Sequence, residues 1–378
     1  MAIDGPQTTC VKSDFYDLLH PSVALVTARE KEIHAVRRRE WNRAFAAKAL
    51  SCHENKISKY IDQLDLCIER DARQHFVSDL KNLLYWFGFD AMGDFVLSNL
   101  FDMLQNEEWH SILEKGLVEM RKWAEDQMKQ RLEKYEDKLA SPDVAQWLLK
   151  GVKADLVKEG TWAWLAGDSL LAIVGGSEPT ASALIGLFCQ LAKCPNHADK
   201  ICGELRHLDI CDPRVLAAQA HHLNACINEA LRLYSALPSG GNRTTREMGI
   251  TIGDNIFHQI RTSWRHATQY PDDYFERGQE FVSERWTSRP DMVRNKAAFA
   301  PFGTGSHTCL GRHLAADEMR LIVARILTKY QYKIVPGGDR VEVDLRDQFA
   351  TKPGSLRVSF ELRHDEINGS HDERFEGI

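Results

Sequence analysis

Long uninterrupted apolar runs are missing from this sequence, and we expect no stretch of it to cross a bilayer. The most apolar stretch, residues 162–191, contains Asp168, Glu178 and Pro179. We therefore interpret it as a buried helix. Residues 1–20 are mixed and polar, with no visible signal peptide or anchor.

Paired cysteines and an excess of positive charge are also missing. The nine cysteines show neither disulfide nor zinc-ligand spacing, which is typical of a cytosol-facing protein with reduced thiols. The net charge of −6 and the lack of a basic stripe exclude a nucleic-acid partner.

Linkers rich in proline or glycine are missing as well, which predicts one mainly helical domain over residues 1–378 with a disordered tail over 363–378. Alternating apolar residues over 249–257 and 356–362 predict short strands.

Glycines surround one cysteine in the segment PFGTGSHTCLGR, residues 301–312. Cys309 stands just ahead of a helical pattern over 310–330, and the free amides and dipole of a helix start stabilise a thiolate. Gly303 and Gly305 permit a tight turn whose amides can point at the sulfur. This arrangement predicts a thiolate ligand for haem iron.

The same segment resembles the haem-binding signature of the cytochrome P450 haem-thiolate monooxygenases, Phe-x-x-Gly-x-x-x-Cys-x-Gly. Phe302, Gly305, Cys309 and Gly311 occupy its fixed positions. The alternative interpretation, a buried cysteine in a glycine-rich turn, does not explain a match at all four positions. The resemblance implies haem b with Cys309 as axial ligand. It also implies a triangular, mainly α fold with small β-sheets, in which the haem lies between a central oxygen-binding helix and the helix after the cysteine.

Further basic residues complete the predicted haem contacts. His34 and Arg38 lie one turn apart in a helical pattern over 29–50, where a solvated basic face is the alternative. The resemblance implies that this helix and Arg243 bind the haem propionates, and that His307 replaces an arginine with a weaker, pH-dependent cation. The predicted cofactor-binding residues are His34, Arg38, Arg243, Phe302, Gly303, Gly305, His307, Gly311 and Arg312.

A glutamate and an arginine share one face of the largely apolar helical pattern over 223–233. Glu229 and Arg232 are at i,i+3 spacing, which is common on surface helices. The apolar neighbours predict instead that the pair is buried and needs further partners. The resemblance supplies Arg285 from the segment FVSERW, and implies a structural triad beneath the haem thiolate.

The segment IVGGSEPT resembles the oxygen-activating motif Ala/Gly-Gly-x-Asp/Glu-Thr of the same family. The resemblance implies that an acid and a threonine relay protons toward dioxygen. Glu178 keeps the acidic position, Pro179 replaces the threonine, and Thr180 follows it. We expect the paired glycines to admit dioxygen and water, and the proline to free a carbonyl that can hold a water. The predicted catalytic residues are Glu178 and Thr180, with mere solvation of a kink as the alternative for Glu178.

Taken over most of the chain, the resemblance is to fungal, microsomal, E-class members that modify secondary metabolites. It implies insertion of one oxygen atom from O2 into an apolar molecule such as an alkaloid, polyketide or terpenoid. NADPH-cytochrome P450 reductase is the expected partner, docking on a basic surface that includes Arg312. The expected location is the cytoplasm or the cytosolic face of the endoplasmic reticulum, where apolar surface near Trp109 or Trp123 would give peripheral membrane contact.

Three departures from the family pattern leave other functions open. The propionate helix lies close to the start of the chain, so we expect the membrane anchor and first sheet to be missing. The pocket roof between Trp109 and Trp123 is expected to be short, and Pro179 replaces the relay threonine. The alternatives are a haem-thiolate isomerase, dehydratase or peroxide user, for which NADPH would be dispensable, and a degenerate haem-binding remnant without turnover.

Overall fold

The structure is a computed structural model of the 378-residue chain. It describes residues 10–20, 23–46, 50, 54–133, 143–150, 159–238, 241–245, 250–252, 255–257, 261–262, 272–348 and 350–363. The tail predicted over 363–378 lies outside the described residues, apart from Arg363. The described residues form a mainly helical fold with small sheets, as the sequence predicts.

Helices make up most of the described chain. They are α1 (Lys31–Ala44), α2 (Glu54–Gln74), α3 (Leu80–Leu97), α4 (Met103–Asn106), α5 (Ser111–Glu114), α6 (Leu117–Glu133), α7 (Val144–Leu149), α8 (Glu159–Lys193), α9 (Pro195–Leu205), α10 (Pro213–Gln219), α11 (His221–Leu233) and α12 (Arg312–Lys329). Short 3₁₀ turns include Asp14–Leu19, Ser283–Trp286, Pro290–Met292, Lys296–Ala298 and Gly305–His307. The helices predicted over 29–50, 223–233 and 310–330 correspond to α1, α11 and α12, with ends shifted by a few residues.

Most of the strands are two or three residues long. They are β1 (Val11–Lys12), β2 (Val77–Asp79), β3 (Arg243–Thr244), β4 (Ile250–Ile252), β5 (Asn255–Phe257), β6 (Arg261–Thr262), β7 (Tyr330–Asp339), β8 (Arg346–Gln348), β9 (Ala350–Lys352) and β10 (Leu356–Leu362). Two three-stranded sheets have the orders β1-β3-β6 and β2-β10-β7, and all their pairings are antiparallel.

Two strand predictions have different outcomes. The strand predicted over 356–362 is β10. The alternation predicted over 249–257 falls in two strands, β4 and β5, which pair antiparallel. The ten-residue β7 was not anticipated.

The central element is α8, 35 residues long. It packs along α3, whose side chains are almost all buried, and along α6. The crossing with α3 is close: a Cβ on Gly88 would lie 3.1 Å from the Cα atom of Ser177, whose hydroxyl donates to the Gly88 carbonyl at 2.8 Å. Glycine at position 88 therefore lets the two helix backbones approach each other.

By length and composition, α8 could cross a membrane, contrary to the expectation from the sequence. Its span from Gly160 to Lys193 has a mean hydropathy of 1.4 over the most apolar window, and 67% of that window is buried inside the fold. Within the described part of the chain, the helix therefore serves as the core around which the others pack.

The first half of α8 fixes the position of α1. The buried carboxylate of Asp168 accepts from Arg37 Nε at 2.8 Å and from the Leu25 amide at 2.7 Å. Burial raises the pKa of Asp168, and the charge of Arg37 opposes that shift. A Cβ on Gly167 would lie 1.9 Å from the Val23 carbonyl oxygen, so the segment before α1 packs directly on α8. These contacts fix the position of α1 on α8, and with it the orientation of the other side chains of α1.

Candidate functional site

The cysteine segment folds back on itself through two left-handed glycines. Gly303 and Gly305 have φ values of 72° and 69°, where residues with a Cβ are strained. The amide of Cys309 donates to the Phe302 carbonyl at 2.8 Å. As a result, the thiol of Cys309 stands at an exposed position of the loop.

The start of the following helix leaves space beside this thiol. Gly311 is the N-cap of α12, so the helix begins three residues after Cys309. A Cβ on Gly311 would lie 3.9 Å from the sulfur and 3.8 Å from the Phe45 ring. The predicted placement of Cys309 just ahead of a helix matches the structure, and its sulfur faces a glycine.

Five basic side chains, here called the basic cluster, come together near Cys309: Lys12, His34, Arg38, Arg243 and His307. Antiparallel pairing of β1 with β3 places Lys12 opposite Arg243. His34 Nε2 and His307 Nδ1 are 3.1 Å apart, which joins α1 to the cysteine segment. Arg38 is close enough to Cys309 for the two charges to interact.

Burial, followed by mutual repulsion, lowers the pKa values of three members of the basic cluster. Burial and the neighbouring cations lower the pKa of Lys12 to about 7 and that of His34 to about 4. Burial, Arg243 and the other cations lower the pKa of His307 to about 3. Every charged neighbour that shifts these three values is itself basic. Such a site is suited to a ligand with carboxylates, and the two propionates of haem fit it.

One face of α8 is more open than the rest of the helix. Its members, here called the open stripe, are Leu171, Val174, Gly175, Glu178 and Pro179; Gly175 is exposed and the others are half-buried. They fall within about 140° of the helix circumference. A Cβ on Gly175 would meet nothing nearer than a side-chain atom of Leu171 at 3.7 Å. The open stripe therefore leaves room for a ligand against the helix backbone.

Strand β9 covers α8 beyond the open stripe, since the Ser182 hydroxyl donates to the Thr351 carbonyl at 2.7 Å. The two predicted catalytic residues lie on different sides of α8. Glu178 belongs to the open stripe, and burial raises its pKa, with Lys352 opposing the shift. Thr180 is only 7% exposed and follows Glu178 by about 200° around the helix.

The structure thus brings Glu178, but not Thr180, to the open stripe, and the placement of Thr180 does not support a catalytic role. The paired glycines also differ. A Cβ on Gly176 would lie 2.4 Å from Met92 of α3, so Gly176 serves helix packing, whereas Gly175 faces open space. Pro179 has no N–H to donate to the carbonyl of Gly175, four residues earlier.

The predicted triad is assembled in the core. Glu229 accepts from Arg232 Nη2 at 2.8 Å and from Arg285 Nε at 2.9 Å, and all three side chains are 0% exposed. The Val282 amide and the Trp286 indole also donate to Glu229, at 2.9 and 2.8 Å. The carboxylate therefore receives donors from α11 and from the segment around the 283–286 turn, which satisfies a buried charge.

The triad is linked to the cysteine segment through aromatic packing. The ring of Trp286 lies 4.4 Å, centroid to centroid, from the ring of Phe299, and Phe299 is three residues before Phe302. The triad thus supports the loop that carries Cys309, as a structural role requires.

Arg312, predicted to bind the cofactor, points elsewhere. It is exposed and, with Arg320 of the same helix, lines a cleft of about 520 Å³ between α11 and the cysteine segment. Its Nε lies 3.1 Å from His313 Nε2. Arg312 therefore lies outside the basic cluster, and this position does not support the predicted role in haem binding.

Two site features were missed from the sequence. Lys12 joins the basic cluster only because β1 pairs with β3, a contact between residues far apart in the chain. The Arg37–Asp168 pair orients α1, whereas the sequence pattern assigned a role only to Arg38 among the three consecutive arginines. The sequence did offer one signal for Asp168. It is a charged residue within the apolar pattern of α8, and a buried carboxylate needs a partner.

Comparison with known proteins gives consistent matches. The sequence model of the cytochrome P450 family matches residues 109–360. A cytochrome P450 monooxygenase of Fusarium pseudograminearum is 30% identical over 96% of this chain and 72% of its own length. One from Phaeosphaeria nodorum is 32% identical over 89% of this chain and 78% of its own. Tryprostatin B 6-hydroxylase of Aspergillus fumigatus is 28% identical over 96% and 71%.

Solved structures support the same fold. The haem domain of cytochrome P450DA superposes with a TM-score of 0.76 at 16% identity, covering 94% of this chain and 84% of that one. A second crystallised cytochrome P450 gives a TM-score of 0.78 at 19% identity, with 95% and 90% covered. At such identities the likeness establishes the arrangement of helices and sheets.

Proposed function

This chain belongs to the cytochrome P450 family, and from this premise we propose that it inserts one atom of O2 into an apolar secondary metabolite. Electrons would come from NADPH through NADPH-cytochrome P450 reductase, and haem b would be bound through Cys309. Three features support the proposal: the exposed Cys309, the basic cluster whose Arg38 lies near it, and the open stripe of α8, all of which one bound haem would contact.

Each part of a bound haem has a matching group in this proposal. The Cys309 sulfur would hold the iron, and Gly311 would leave the space that the ring needs next to the sulfur. The basic cluster would neutralise the propionates, while Phe302, Gly303 and Gly305 shape the loop. A haem with a thiolate ligand activates dioxygen for insertion into C–H bonds.

Lys12 gives a test of the basic cluster that a sequence motif would not suggest. We expect Lys12→Met to weaken haem retention about tenfold, since one charge-assisted contact is worth about 1.5–3 kcal/mol. The rate of haem transfer to apomyoglobin measures this. Lys296→Met, at an exposed lysine, is the control; equal transfer rates for the two variants would contradict the placement of a propionate at Lys12.

Glu178 would hold and pass a proton on the open stripe. Its carboxyl is half-buried and its pKa is raised by that burial, so the acid form persists to higher pH than for a glutamate in water. The carbonyl of Gly175, which lacks a donor at residue 179, can hold a water within the same stripe. Together they give a proton path that does not need a threonine.

Loss of this carboxyl should uncouple NADPH consumption from product formation. We expect Glu178→Gln to lower product formation on the order of 100-fold, the usual contribution of a positioned acid, with more peroxide released. Thr180→Val should have little effect. Since Glu178 acts in its protonated form, wild-type coupling should fall as pH rises through its raised pKa, and Glu178→Gln should lack this limb. An unchanged pH profile in Glu178→Gln would exclude the relay.

The substrate is proposed to be apolar because apolar groups border the open stripe. Val174, like Met120 and Trp123 of α6, packs against the buried cluster of Ala124, Ala166 and Leu170. Leu171 lies one turn before Gly175. The related tryprostatin B 6-hydroxylase acts, by its name, on tryprostatin B, so compounds of the tryprostatin type are the first candidates. The reductase would dock at the cleft lined by Arg312 and Arg320, where basic groups steer an acidic partner.

The test is turnover under ¹⁸O2 with NADPH, reductase and a panel of alkaloid, polyketide and terpenoid metabolites. One labelled oxygen atom in the product, dependent on NADPH, supports the proposal. Product without label would overturn it and indicate an isomerase or dehydratase. Pro179 at the relay position favours one second candidate, a peroxide user, for which hydrogen peroxide would replace both NADPH and reductase.

A further inference from the structure

Two histidines and a cysteine converge at a second site, built from α9 and α11. Among the described residues, His197, His222 and Cys226 form a group whose ligand atoms all lie within 4.8 Å of one another. His197 Nδ1 and His222 Nε2 are 3.1 Å apart, and the rings are stacked at 5.2 Å. In tetrahedral zinc sites with Zn–N bonds of about 2.0–2.1 Å, two ligand nitrogens are separated by about 3.3 Å.

The elements that carry these groups explain why they face one another. His222 and Cys226 are one turn apart on α11, so their side chains share a face. His197 lies in the first turn of α9, which packs against α11. Cys226 is buried and both histidines are half-buried. The ligands are thus held by two packed helices, with one side partly open to solvent.

A carboxylate completes the surroundings of this group. The Ser283 hydroxyl lies 3.4 Å from His197 Nδ1 and also 3.4 Å from the Glu284 carboxylate. Glu284 interacts electrostatically with both histidines and with Cys226, and its salt-bridge partner Lys200 is 3.8 Å away. Two imidazoles, one thiolate and one carboxylate carry a total charge that balances a divalent cation.

We propose that His197, His222 and Cys226 bind a zinc ion, with Glu284 facing the fourth position. Imidazole and thiolate together suit Zn²⁺ better than the oxygen-preferring Mg²⁺ or Ca²⁺. Binding displaces the Cys226 thiol proton to solvent and needs no oxidant or reductant. The site does not depend on the proposed monooxygenase function, since none of its residues belongs to the basic cluster or the open stripe.

The role of the zinc ion would be to tie together the elements that hold the buried triad. Cys226 lies one turn before Glu229 on α11, and Glu284 directly precedes Arg285. A metal bridging α9, α11 and the 283–286 turn would oppose their separation. We therefore expect zinc to raise the melting temperature of the haem-loaded protein by several degrees, as for a ligand that binds the folded state.

The experiment uses the haem-loaded full chain, treated with a chelator and then titrated with Zn²⁺. We expect one zinc per haem iron by elemental analysis. Zinc-edge X-ray absorption should show one sulfur scatterer at about 2.3 Å with nitrogen or oxygen at about 2.0 Å. Cys226→Ser and His222→Gln should lose stoichiometric zinc and its thermal stabilisation. His207→Gln and Cys211→Ser change exposed residues outside the site and should retain both.

Two results would overturn the assignment. One is a wild-type protein that binds no stoichiometric zinc, or whose bound zinc has no sulfur neighbour. The other is zinc that persists in Cys226→Ser or His222→Gln. The carbon monoxide difference spectrum of each variant reports whether its haem site is intact, so loss of zinc is distinguishable from loss of the fold.

Discussion

Replacement of Glu229 by glutamine should leave little protein that folds and retains haem. The Glu229 carboxylate pairs with both Arg232 and Arg285, and all three side chains are 0% exposed. Removing its charge takes away the carboxylate that pairs with both buried guanidiniums, and breaking a buried ion pair costs about 3–5 kcal/mol. A folded protein has only about 5–15 kcal/mol of stability in total. The yield of soluble, haem-loaded protein and its melting temperature measure the effect.

Glu40→Gln is the matched control for this variant. Glu40 also pairs with an arginine at i,i+3, but the side chains of Arg43 and Glu40 are 55% and 40% exposed. Exposed pairs contribute about 0–1 kcal/mol, so Glu40→Gln should resemble the wild type. If the two variants are equally stable, the triad does not stabilise the cysteine segment.

Gly175→Val should abolish substrate turnover without unfolding the protein. Valine is a better helix former than glycine, and the first side-chain atom would meet only Leu171 at 3.7 Å. The added methyl groups would instead fill the space beside the open stripe. A displacement of the substrate by about 1 Å can lower the rate on the order of 100-fold. We therefore expect turnover to fall by at least that factor, and carbon monoxide to bind more weakly.

Gly203→Val tests whether the loss at Gly175 depends on its position. Gly203 is also a helical glycine, on α9, and a Cβ there would meet nothing within 4 Å. This variant should keep wild-type turnover and haem content. If Gly175→Val is as active as Gly203→Val, the open stripe does not face the reacting substrate.

Features confined to one segment were readable from the sequence. The loop around Cys309 is specified by Gly303 and Gly305, which have positive φ values, and Gly305 is also a fixed position of the family signature. Glu229 and Arg232 lie one turn apart in an apolar helix, so their burial followed from the neighbouring residues. The bounds of α11 and α12 were close to prediction because their apolar periodicity is strong.

Features that depend on tertiary pairing were not readable. Lys12 has no motif around it and enters the site through β1–β3 pairing. His197 and Cys226 show no zinc-ligand spacing in the sequence, because the packing of α9 on α11 brings them together. Thr180 was assigned by its place in a motif, yet rotation of about 100° per residue puts it on the buried side of α8.

The most direct test of the central claim is the reduced carbon monoxide difference spectrum of residues 1–378 expressed with haem supply. We expect a thiolate-type Soret band in the wild type and in the exposed-cysteine control Cys211→Ser, and its loss in Cys309→Ser. A wild type without that band, or a Cys309→Ser variant that retains it, would contradict the assignment of Cys309 as the ligand of a haem held by the basic cluster.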